Sequence, residues 1–194
     1  MSEVISNIRV IHILTAILMA WPVYALVAVN QRVRLGPPLG DRADTYIENI
    51  IKNRTIPCFV FQGTALLSGL ALVALQDQGL GDLLINPVLG LKFVLLLLII
   101  GLLLYVHLTL QPQIDKLFDQ PGNPIVGEPA ARIGTLRGRR KQIASVCMFV
   151  VLTIAMLGMQ VYSSFPIWLT VLLLALIALF TWRTYKTQMP YGWI

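Results

Sequence analysis

Apolar residues run almost unbroken through five stretches of this chain, at roughly residues 8–29, 56–75, 88–110, 142–162 and 165–183, with the polar residues gathered between them. Each stretch is close to the ~20 residues that an α-helix needs to cross ~30 Å of hydrocarbon. The pattern predicts an all-α integral membrane protein, a bundle of five transmembrane helices forming a single membrane domain over residues 1–194. The first stretch follows "MSEVISNIR", which holds one acid and one base, and is too long for a signal-peptide core, so it reads as a retained span. Pro22 inside it predicts a kink, and the carbonyls this frees must find other partners. The last two stretches are joined by "YSSFP", which predicts a tight hairpin with Pro166 in the first turn of the fifth helix.

The longer connections, 30–55 and 111–141, differ in kind. In "DRADTYIENIIKNR" (41–54), Tyr46, Ile47, Ile50 and Ile51 recur at helical spacing, with Asp41 placed to cap. This predicts a short amphipathic helix lying on the membrane surface. "QPGNPIVGEPAARIGTLRGRRK" is rich in Pro and Gly and reads as irregular until its basic end. There Arg137–Lys141 is expected to meet anionic headgroups, with docking of a partner protein as the alternative.

Charge then orients the bundle. All but two of the 15 basic residues fall in the connections 30–55 and 111–141 or in the C-terminal tail, which share one side if the spans alternate. The opposite connection, "QDQGLGDLLIN", has two acids and no base. Lys and Arg concentrate in cytoplasmic loops, so the N-terminus is expected outside and the C-terminus in the cytoplasm of a bacterial inner membrane. The net charge of +6 has this source and does not point to nucleic acid, because the basic residues sit between apolar spans without interleaved aromatics. Trp168, Trp182, Tyr191 and Trp193 read as interfacial anchors. Trp21, beside Pro22, reads as core packing or as a surface for a ring-shaped cofactor.

The sequence has no phosphate-binding loop, dinucleotide turn, nucleophile elbow or zinc-protease motif. All nine acids lie outside the spans, which excludes a carboxylate proton relay through the membrane. The ionisable groups inside the apolar runs are His12, Lys92, His107 and the thiols of Cys58 and Cys147. An imidazole at the depth of His12 is a candidate haem or copper ligand or proton carrier, against a histidine simply bonded to a neighbouring helix. Lys92 either snorkels to the headgroups or turns inward toward His12, where it could pair with an anionic group such as a propionate. His107 lies fifteen residues beyond Lys92, roughly 22 Å along a helix and at the opposite face of the membrane from His12. One iron therefore cannot easily take both histidines, and a second ligand near His12 would come from Met156 or Met159. Cys58, His107 and Cys147 share the cytoplasmic level, where a soft-metal site and coincidence are the competing readings.

Two segments carry a family resemblance. "IRVIHILTAILMAW" resembles the first helix of the protoporphyrinogen-oxidase-like HemJ and copper-resistance CopD group, and "LKFVLLLLIIGLLLYVH" is similar to that group's third helix. The likeness covers about residues 8–110. It implies a haem-b-binding bundle that oxidises a porphyrinogen, with the family's histidine and lysine at His12 and Lys92; CopD-like members are associated instead with copper import. Trp21-Pro22-Val23 replaces the family's glycine-containing step, and a fifth span and longer loops are added. Two functions follow as expectations. One is a haem-b membrane protein in redox chemistry. The other is a non-catalytic subunit that packs against lipid, pigment or other subunits of a respiratory or photosynthetic complex. Copper transport lacks the methionine and histidine clusters it calls for.

Overall fold

The computed structural model describes residues 2–32, 40, 42–53, 55–75, 79–119, 125–161, 163 and 165–186. Asp41, Tyr191 and Trp193, together with Arg34, Arg54 and the segment 120–124, lie outside the described residues. Helices make up the fold: α1 (Ser2–Leu18), α2 (Trp21–Arg32), α3 (Arg42–Asn53), α4 (Thr55–Ala74), α5 (Asp82–Ile85), α6 (Pro87–Tyr105), α7 (Gln111–Phe118), α8 (Glu128–Gln160) and α9 (Ile167–Lys186). Among the described residues five helical runs are long and apolar enough to cross a membrane, so the chain is an all-α, multi-pass membrane protein. The exposed Leu, Ile and Val side chains of α1, α6 and α9 are its lipid-facing surface.

The bundle is built by neighbours in space. α1 packs on α4, α4 on α6, α6 on α8, and α8 on α9, while α2 leaves α1 and packs on α8. At the centre, Met19, Ala65, Leu96, Ile99, Cys147, Val150 and Val151 form the core, which brings α4, α6 and α8 together around the end of α1. The end of the bundle carrying α3, α7 and the start of α8 is called here the basic end; the opposite end carries α5.

Prolines shape two of the spans. The first does not run unbroken over 8–29: it stops at Leu18 and restarts at Trp21, with Pro22 in the first turn of α2. Pro22 has no N–H to give, so the turn tightens instead, with Ala20 N–H donating to Ile17 O and Val23 N–H to Ala20 O at 3.0 and 2.9 Å. In the third span Pro112 has the same defect, and the chain widens into one π-helical turn at Val106–Leu110 before α7 begins. A π-turn relieves the clash between a proline ring and the carbonyl four residues back, and its extra residue shifts the helical phase. Polar Gln111 thereby turns inward, 5% exposed.

Other boundaries follow local chemistry. Asn86 caps α6, accepting from Val88 N–H and Leu89 N–H, with Pro87 at the first helical position. At Gly90 a Cβ would stand 2.7 Å from the Leu83 carbonyl oxygen, so the close approach of α5 to α6 requires glycine there. Pro166 stands just before α9 rather than inside its first turn, and its carbonyl accepts from Leu169 and Thr170 N–H. Gln160 donates to Thr170 at 2.8 Å and clips the α8–α9 hairpin.

The connection expected to be irregular is largely helical. α8 starts at Glu128, not near 142, and runs 33 residues. Gly134 and Gly138 each weaken a helix by about 1 kcal/mol. Packing of Ile133, which is fully buried, and of the arginine face described below offsets that cost. Gly127, at φ +73°, turns the chain into the helix.

Candidate functional site

His12 sits where α1 lies closest to α4. Its Nδ1 is 3.0 Å from Ser68 Oγ, and a Cβ on Gly69 would stand 3.1 Å from its Cε1. The small Ser68-Gly69 pair is what lets the ring lie against the α4 backbone. The hydroxyl of Ser68 also donates within α4, to Thr64 O at 2.6 Å. Where that proton stays directed at Thr64 O, Nδ1 donates to Ser68 and the lone pair of the neutral ring falls on Nε2. That is the arrangement of a ligating histidine whose other nitrogen is held by an outer partner.

Lys92 occupies the same end of the bundle. Its Nζ lies against α8, 3.5 Å from where a Cβ on Gly158 would be, and within electrostatic range of His12. Half-buried, it has no carboxylate partner among the described residues. Four helices thus bring together an imidazole, a hydroxyl and an ammonium around two glycines. Neither methionine joins them. Met156 is buried but about 200° around α8 from Gly158. Met159 is 55% exposed.

His107 is elsewhere. It lies in the π-turn and meets Phe59 edge to face, the centroids 5.7 Å apart. Phe59 and Ser68 are separated by about 14 Å along α4, so the two histidines belong to different ends of the bundle. Cys58 is buried near the start of α4, and Cys147 is buried in the central core. Among the described residues no three His, Cys, Asp or Glu side chains converge as a metal site.

The basic end holds a cluster that sequence reasoning did not foresee. Asp44 and Glu48, one turn apart on α3, face Arg137 and Arg140, nearly one turn apart on α8. Arg137 donates from Nη1 and Nη2 to the two oxygens of Asp44, at 2.9 and 3.2 Å, and from Nε and Nη2 to Glu48 Oε2. Arg140 donates to both oxygens of Glu48 and to Gln111 Oε1. The Gln111 amide completes the network by donating to Glu48 and Asp115, both at 3.1 Å. Lys52 closes the rim on Asp115 at 2.8 Å.

α3 is the short amphipathic helix expected, and its acidic edge docks on α8, with Asp44 0% and Glu48 6% exposed, while Tyr46 is 68% exposed. One expectation is corrected. Arg137 and Arg140 turn to these acids and not to headgroups. The signal was present as Asp44 and Glu48 at i, i+4 and Arg137 and Arg140 at i, i+3, but the Pro- and Gly-rich composition of 120–138 hid the helix that gives the arginine spacing meaning. α3 lies before the apolar part of its helical run, outside the span itself. There burial pushes the Glu48 carboxyl up, but the hydrogen bond and charge of Arg140, the charge of Arg137 and the Gln111 amide outweigh it and hold it below the usual 4.5. The hydrogen bond to Asp115 raises the Lys52 ammonium above its usual 10.5.

Compared with known protein families, curated proteins and solved structures, the chain matches none.

Proposed function

We propose that the protein binds haem b at the end of the bundle opposite the basic cluster and takes part in membrane redox chemistry. The observation that carries this reading is the 3.0 Å contact of His12 Nδ1 with Ser68 Oγ: with Nδ1 held there, Nε2 is the nitrogen that would ligate an iron. Lys92, half-buried with no described carboxylate beside it, supplies the positive charge that a propionate would neutralise. The donor set therefore fits the group on one face, through His12, whereas His107, Met156 and Met159 are not arranged to complete it. Haem b, when bound, supplies one-electron chemistry. The chain's own contribution is to hold the imidazole by Ser68 and Gly69 and to keep a cation within range.

The charge asymmetry supports an orientation with the basic end in the cytoplasm, the N-terminus outside, in a bacterial inner membrane.

Purification in mild detergent from cells supplied with haem tests the function. A Soret band that His12→Ala abolishes and Lys92→Gln weakens is the expected result. A colourless protein that takes up no added haem, with His12 intact, overturns it.

A further inference from the structure

With Arg137 and Arg140 committed to carboxylates, the headgroup contact expected of them must fall to other cations, and α9 supplies them. Arg183 and Lys186 stand one turn apart near its C-terminal end. Among the described residues neither has a carboxylate partner. They crown an open, mainly apolar surface formed by Leu176, Leu179, Phe180 and Trp182. These positions fall on one arc of α9, because 176, 179, 180 and 183 recur at i, i+3, i+4 and i+7. That arc faces away from α8: Thr181, on the other side of α9, is buried, while Leu176, Leu179, Phe180 and Trp182 are all more than half exposed. On the opposite, α8-facing side of α9, Lys141 lies over the Tyr185 ring at 4.9 Å, adding positive charge at the same level along the helix.

We infer that this outward arc of α9 is a binding site for an anionic phospholipid, with the phosphate between Arg183 and Lys186 and an acyl chain along Leu176, Leu179 and Phe180. Two cations at i, i+3 can share one phosphate from the same face. The apolar lining directly below them selects a lipid over a free phosphate, because only a lipid carries a chain to cover it. The indole of Trp182 sits at the boundary, where amphipathic rings settle in bilayers.

The full-length protein in phosphatidylcholine vesicles containing a minor fraction of phosphatidylglycerol tests this site. Bromines are placed on the acyl chains of one lipid or the other, and the Trp182 signal is taken as the difference from a Trp182→Phe variant. Brominated phosphatidylglycerol is expected to quench Trp182 as if enriched about tenfold over its mole fraction. R183Q/K186Q should return quenching to the mole fraction, and K116Q/R132Q, with the same charge change elsewhere, should keep the enrichment. Equal quenching by the two lipids in the unmodified protein overturns the site. So does equal loss in both double variants, which would mean general surface charge, or absence of quenching by either lipid, which would mean that a protein surface covers the arc.

Discussion

Arg137 and Asp44, ninety-three positions apart in the chain, meet fork to fork through two hydrogen bonds of 2.9 and 3.2 Å. This contact, with Glu48 and Arg140 beside it, ties α3 to α8 and so joins the segment before the second span to the beginning of the fourth. Two guanidinium groups against two carboxylates leave the buried cluster neutral, which is the condition under which such charges tolerate burial.

Breaking one arm should be costly. Asp44→Ala or Arg137→Ala is expected to destabilise the protein by about 3–5 kcal/mol, because each leaves the buried cluster with a charge that is no longer balanced. The double variant should lose less than the sum of the two. Thermal unfolding of the four proteins in one detergent measures the difference, and strict additivity would show that the pair is not coupled.

The same cluster sets an acid limit. The Glu48 carboxyl is held below 4.5, so its stabilising share is present at pH above that value and is lost as pH falls through the lower folded-state value. Unfolding temperature should therefore change little from pH 7 to about pH 5 on this account and drop below that. Glu48→Gln should be less stable at neutral pH and show a shallower acid limb.

Ser68 and Gly69 are expected to act on haem through His12. Ser68→Ala removes the group that holds Nδ1, and loss of such an outer partner typically weakens a metal site about 10–100-fold. Gly69→Ala adds a methyl 3.1 Å from the ring and should tilt it. Haem titration of both variants, followed at the Soret band, checks this; unchanged affinity in both would separate haem binding from the His12 geometry.

Orientation is open to a direct measurement. Cys58 and Cys147 are buried, so a cysteine introduced at exposed Leu80 or Arg132 reports alone. A membrane-impermeant thiol reagent added to intact cells should label Leu80→Cys, and Arg132→Cys only after the cells are opened. The reverse pattern would invert the bundle.

The spans, the break at Pro22 and the segregation of basic residues to one end were legible in the chain, because a bilayer imposes length and apolarity locally and proline acts on its own turn. The placement of His107 away from His12 was equally readable, since rise per residue converts sequence distance into depth. What required the tertiary structure was every relation between helices. Ser68 is an unremarkable serine until α1 lies against α4 and brings the His12 ring to its hydroxyl. Asp44, Glu48, Gln111, Arg137 and Arg140 read as loop polarity until a π-turn at Pro112 swings Gln111 inward and α8 extends to Glu128. Local physics chooses the helices; which faces meet depends on packing between segments up to ninety-three residues apart, and no window along the sequence contains both partners.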